Sequence, residues 1–266
     1  MDWQEIAGNW VLVPRRQTAI VHFLGGAFVA RAPQVTYRLL LEHLAQQGYV
    51  IVATPFVNTF DHRAIAQEVL LQFERALVRL QDRDLLAQRY LPIYGLGHSM
   101  GCKLHLLIGS LFAVERAGNM LLSYNNAAAR EAIPLLEQFS TTWSQWSGPM
   151  SVEFTPSPLE TNVLISQGYR VQRNLLVQFT DDTIDQSAGL LGLLSDRFPG
   201  MVTLQKLRGN HLTPLGQDLK WQPGASFTPL DAIGQWVRQE VYRDLNHLKR
   251  TLLGWLDPFS LKSDRE

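Results

Sequence analysis

Tyr49-Val50-Ile51-Val52-Ala53 is an unbroken apolar run of strand formers, halted by Pro55. A strand without a polar side must be buried on both faces, as in a parallel sheet layered between helices. The rest of the chain keeps that rhythm. Residues 10–13 and 18–24 read as strands, β-branched and apolar, with Gly25-Gly26 closing the second. A helical pattern follows, with Tyr37, Leu41 and Leu44 on one face and Gly48 at its C-cap position. Asp61 is a candidate N-cap for a helix striped by Ile65, Val69, Phe73, Ala76 and Leu80. Then come a strand at 91–95, a helix over about 102–116 and a strand at 119–123. The rhythm breaks from 127 to 172. It resumes with a strand at 175–179, a helix at 187–198 and a strand at 202–207. A last helix starts near Asp231, striped by Val237, Val241, Leu245, Leu248, Leu252 and Trp255. Strand–helix alternation of this kind predicts an α/β fold with a doubly wound, mostly parallel sheet. The length suits one domain over 1–266, with 127–172 as a cap-like insertion lying over the sheet.

Composition narrows the function classes. Lys plus Arg is 24 and Asp plus Glu is 24, so net charge gives no reason to expect nucleic acid as the main partner. Cys102 is the sole cysteine, which excludes an intrachain disulfide and a cysteine-based zinc site. The acidic start Met1-Asp2-Trp3-Gln4-Glu5 lacks an apolar signal core, and apolar stretches such as 106–114 are too short to span a bilayer. A soluble, intracellular protein without a transmembrane segment is expected.

The chemistry-bearing motif is Gly97-His98-Ser99-Met100-Gly101, set between a strand and a helix. A turn that tight forces its central residue into a strained backbone conformation. Side chains two positions to either side would collide with neighbouring backbone, so glycine fits there. The result is a serine hydroxyl presented at the C-terminal edge of a sheet, with the helix N-terminus aimed at the same spot. His98 is adjacent in sequence, but side chains diverge on such a turn, and it reads as packing.

With this motif in this setting, the chain resembles the α/β-hydrolase superfamily over about residues 11–255. Segments such as 174–186 and the Gly209-Asn210-His211 turn also resemble a branch found in cyanobacteria and plastids that carries no assigned substrate. The resemblance implies the chain order nucleophile, acid, histidine. Ser99 is then the nucleophile. Asp182, in Phe179-Thr180-Asp181-Asp182-Thr183-Ile184, matches the acid, with Asp181 as the alternative; either Asp181 or Asp185 also suits the N-cap of the next helix. His211, in Gly209-Asn210-His211-Leu212-Thr213, matches the base, while His43, His62, His105 and His247 fall in or beside helical patterns and read as surface or packing residues.

The oxyanion donors are expected from the backbone of Gly26 or Ala27, together with Met100. The loop Phe23-Leu24-Gly25-Gly26-Ala27-Phe28 departs from the family's His-Gly-Gly spelling, with Leu24 where histidine stands and His22 two residues earlier. Cys102 is a second departure, at a position where many relatives have glycine. The implied activity is hydrolysis of a small-molecule acyl substrate, an ester or thioester, without metal or organic cofactor. Phe28, Trp143 and Trp146 are candidates to line the substrate pocket; the insertion aromatics, Met150 and Phe154 included, equally suit cementing it to the core. An acyltransferase, or a fold kept as a binding scaffold without catalysis, are the competing readings.

Overall fold

The computed structural model describes residues 1–27, 29–127, 153–215 and 240–258. Among them, eight strands make one sheet: β1 Gln4–Ile6, β2 Asn9–Leu12, β3 Ala19–Leu24, β4 Tyr49–Ala53, β5 Ile93–His98, β6 Gly118–Leu122, β7 Asn174–Phe179 and β8 Val202–Leu207. Their order is β1-β2-β4-β3-β5-β6-β7-β8. The β1/β2 and β2/β4 pairs are antiparallel. The pairs from β4 through β8 are parallel. The strands at 49–53 and 202–207 have the expected bounds. The short β1 was not expected, because only Ile6 of its three residues is buried and no alternation can be read from three positions.

The helices among the described residues are α1 Pro33–Thr36, α2 Arg38–Gln46, α3 His62–Asp82, α4 Met100–Leu111, α5 Pro158–Gly168, α6 Ser187–Arg197 and α7 Glu240–Leu256. One sheet face, including Val21, Phe23, Ile51, Leu96 and Val177, packs on Leu40, Leu41 and Leu44 of α2 and Leu245, Leu248 and Leu252 of α7. The opposite face meets α3 through Phe73, Ala76 and Leu80. It meets α4, α5 and α6 through Leu106, Ile165, Leu190 and Leu194. Helices therefore cover both faces, and each fully buried Leu, Val or Phe contributes roughly 1.5–3 kcal/mol over an exposed one.

Local signals account for the helix ends. Asp61 caps α3, its Oδ1 accepting the Ala64 N–H at 2.8 Å, and the Ile65-to-Leu80 stripe is buried as its spacing predicts. Ser157 and Glu160 close a capping box at the start of α5. The helix expected over 102–116 stops at Leu111, where Phe112 turns extended (φ −120°, ψ 151°). Of the 127–172 segment, 128–152 lie outside the described residues, as does the expected helix start near Asp231. The returning end of that segment is tied down: Thr155 N–H donates to Phe60 O (2.8 Å) and Arg63 N–H to Thr155 O (3.2 Å).

The topology fixes where a site can form. From β3 the chain crosses to β4 on one side, then returns past β3 to β5 on the other. The carboxyl ends of β3 and β5 are therefore the switch point, the place at which α/β sheets bind ligands.

Candidate active site

Ser99 follows the last residue of β5 and precedes the first residue of α4. Its backbone is at φ 53°, ψ −118°, the positive-φ strain expected of a serine on this turn. The flanking glycines are sterically required. A Cβ on Gly97 would stand 2.6 Å from the Cys102 amide nitrogen, and one on Gly101 would collide with the Leu24 carbonyl oxygen. The elbow thus presses on the end of β3 as closely as backbone allows.

Asp182 and His211 meet in the loops after β7 and β8. Asp182 Oδ2 lies 2.8 Å from His211 Nδ1, and the carboxylate side chain has no solvent exposure. Burial pushes the Asp182 carboxyl up, but His211 and the Ile184 N–H hold it below the usual carboxylate range. Asp181 is exposed and paired with Thr180 instead. The start of α6 draws on Asp185, whose carboxylate accepts the Ser187 N–H (2.8 Å) and hydroxyl (3.0 Å). Asp182 is left free for the imidazole. The histidine loop is rigid: Gly209 sits at φ +121°, with no room for a Cβ beside Thr213. Thr213 Oγ1 accepts the Asn210 N–H (2.9 Å), and Asn210 Oδ1 accepts the Leu212 N–H (2.9 Å). The two loops are joined by the Asp181 N–H to Gly209 O bond at 2.9 Å.

The oxyanion expectation needs a correction at Gly26. Its N–H donates to Tyr37 Oη at 2.8 Å, so that donor is already spent. Ala27 is half-buried on the turn after it, and Met100 is the first residue of α4. Leu24, where the family spelling has histidine, is wholly buried among Met100, Leu104 and Leu107. Cys102 is also buried, its thiol donating to Leu122 O at 3.2 Å and pushed up by burial, which leaves it protonated.

His98 is more than packing. Its Nδ1 lies 2.7 Å from Tyr37 Oη, and its Nε2 2.8 Å from the backbone oxygen of His211. Sequence reasoning passed over both His98 and Tyr37. The available signal was the strand alternation, which puts His98 on the same face as Leu96, toward α2.

Phe28, Trp143 and Trp146 lie outside the described residues. Phe154 is described, and it serves the cementing role: it stacks on His62 (4.3 Å between ring centroids), beside the Lys103 ammonium. Among the described residues no cluster of three or more His, Cys, Asp or Glu is arranged to hold a metal. No described helix is long and apolar enough to cross a membrane.

A family model described as "Protein of unknown function (DUF1350)" matches residues 2–258. No curated protein matches the chain. Solved structures do. A soluble variant of monoglyceride lipase from Saccharomyces cerevisiae is similar at 14% identity and TM-score 0.59, over 97% of this chain and 94% of that one. A peroxisomal α/β-hydrolase from the same yeast shares 12% identity at TM-score 0.55, over 92% and 82% of the two chains. An esterase from Pyrococcus furiosus shares 15% identity at TM-score 0.53, over 91% and 86%. The sheet order and these likenesses establish the α/β-hydrolase fold.

Proposed function

The chain belongs to the DUF1350 family of proteins of unknown function, and from that premise we propose that it is a serine hydrolase acting on a carboxylic ester or thioester. The observation that carries the reading is the 2.8 Å pairing of a solvent-shielded Asp182 carboxylate with His211, taken together with a serine held at positive φ on the elbow after β5. A buried carboxylate on Nδ1 fixes the imidazole tautomer, leaving Nε2 as the proton acceptor. The names of the fold neighbours, a lipase and an esterase among them, agree with this chemistry.

In the proposed reaction the Ser99 hydroxyl attacks the acyl carbonyl while His211 Nε2 takes its proton. Asp182 stabilises the resulting imidazolium. The N–H groups of Met100 and Ala27 receive the developing oxyanion, one such donor being worth about 3 kcal/mol. The imidazolium protonates the departing alcohol or thiol. Water, deprotonated by the same histidine, then releases the acid. The domain is taken to be single over 1–266, with 127–172 as a cap-like insertion within it.

A fluorophosphonate probe tests this directly. Wild type is expected to be labelled and Ser99→Ala not, with a panel of acyl esters turned over by the former alone. Folded wild type that takes no label would remove the hydrolase reading and favour a binding scaffold.

A further inference from the structure

Between the oxyanion loop and the catalytic-histidine loop runs one continuous line of hydrogen bonds. Its direction follows from its two ends. The His211 backbone oxygen can only accept, so His98 Nε2 carries a proton and donates to it at 2.8 Å. Burial, helped by His211 nearby, holds the His98 imidazole down at about 3, so it is neutral at ordinary pH and its Nδ1 can only accept. Tyr37 therefore donates its hydroxyl proton to Nδ1 at 2.7 Å. The Tyr37 oxygen in turn accepts the Gly26 N–H at 2.8 Å. Every hydrogen bond along the line runs in one sense.

The two side chains are held to this job by packing. Tyr37 has no exposure and His98 2%. Tyr37 sits at the joint of α1 and α2, edge-on to Phe23 at 4.6 Å. Gly25 makes room for it: a Cβ there would stand 2.9 Å from Tyr37 Cε2. The Gly25-Gly26 pair is thus as much the seat of Tyr37 as a flexible turn.

Resting on the hydrolase reading for its consequence, we propose that Tyr37 and His98 are positioning residues that fix the oxyanion loop and the His211 loop at one separation across the nucleophile. The loops after β3 and β8 lie at opposite sides of Ser99 and share no strand pairing. Donors and base must hold their places to within a fraction of an ångström, since a misplacement of about 1 Å can cost about 100-fold in rate.

The test uses full-length protein with 15N-labelled histidine. In wild type, His98 should appear as the Nε2–H neutral tautomer from pH 6 to 8, and the His211 Nδ1–H as a downfield signal from its bond to Asp182. Tyr37→Phe and His98→Ala should broaden or shift that His211 signal. They should slow fluorophosphonate labelling and kcat about 10- to 100-fold, with KM changed by less than about 3-fold. His98→Gln, whose amide can accept from Tyr37 and donate to the His211 carbonyl, should restore most of the rate. The proposal is overturned if His98 carries its proton on Nδ1 or titrates like a solvated imidazole. It is equally overturned if folded Tyr37→Phe and His98→Ala keep the wild-type His211 signal and labelling rate. Wild type that shows these histidine signals but takes no label would sink the hydrolase reading instead, and the His211 signal in the variants would still decide whether the relay positions that loop.

Discussion

Two buried imidazoles stand on neighbouring strands and opposite faces of the sheet, and they do different work. His22, on β3, stacks on Phe73 of α3 at 4.1 Å. Arg116 Nη2 donates to its Nδ1 at 3.2 Å, so its Nε2–H donates to Thr54 Oγ1 at 3.0 Å. Thr54 passes the line on to Asn9 Oδ1 at 2.5 Å, and Asn9 Nδ2 ends it on Gln72 O at 3.0 Å. The His98 line has the same tautomer and the same direction. What differs is what each line joins. The His22 chain links β2, β3, β4 and α3, whose spacing is already set by strand pairing and apolar packing. It also leaves loose ends, with Arg116 Nε and Nη1 unpartnered and buried. The His98 chain links two loops that share no other hydrogen bond among the described residues, and it has no loose ends. A relay inside a sheet adds stability; a relay between loops sets geometry.

The largest effect expected touches both lines together, along with two further buried histidines, His62 and His105. Burial holds His62, His98 and His105 down at about 3, and His22 well below its ordinary value, with Arg116 adding to the push at His22 and His105. A histidine depressed in the fold titrates near 6.5 when unfolded, so between those values the unfolded chain binds more protons. The stabilisation is full above about pH 6.5 and is lost as pH falls toward 3, at about 1.4 kcal/mol per pH unit for each histidine. Four together come to more than about 5 kcal/mol per unit, enough to unfold an ordinary domain within one or two units. Asp182, depressed as a carboxylate, contributes its own loss only below its unfolded value near 3.9. Thermal melts from pH 8 to 5 should show the midpoint dropping steeply below pH 6. A flat profile would mean that these rings are not sealed from water, and the comparison would collapse.

The next effect separates the two lines. His22→Leu strands the Arg116 guanidinium and the Thr54 hydroxyl in the core, and a loss on the order of 3 kcal/mol follows from such unpaired groups. The folded fraction should keep wild-type kcat and KM. Urea unfolding with a rate assay below the transition checks both halves. A kcat loss in folded His22→Leu that matched Tyr37→Phe would show that the distinction between the two relays is false.

These differences bear on what a sequence can disclose. Tyr49–Ala53 announces its own burial because every side chain in it is apolar, and Val202–Leu207 is bounded by clear turn residues. The elbow is legible because backbone collision dictates Gly97 and Gly101 wherever such a turn occurs. The preference for Asp182 over Asp181 rests on the resemblance alone, because neighbouring carboxylates differ only in which one the turn directs inward, and the pairing with His211 appears only in three dimensions. The relay was out of reach for a similar reason: Tyr37 and His98 are 61 positions apart, and nothing in either local pattern says that they touch. The overlong helix at 102–116 shows the converse. Phe112 and Val114 continue an apolar run, but tertiary packing takes Arg116 to His22, so the backbone leaves the helix first.

The smallest effect has the opposite sign and is confined to the site. Ser99 holds φ 53° with ψ −118°, a combination that glycine adopts freely and residues with a Cβ adopt at a cost of about 1–3 kcal/mol. Ser99→Ala removes the hydroxyl but keeps the Cβ, so the strain remains and the melting midpoint should barely move. Ser99→Gly removes both. The released strain is offset by roughly 0.4–1 kcal/mol for the added freedom of the unfolded chain. A net gain of about 1 kcal/mol remains, a rise of a few degrees in the melt, in a protein that takes no label. If Ser99→Gly melts no higher than Ser99→Ala, the elbow is not strained, and the serine's raised position is simply where the chain prefers to turn.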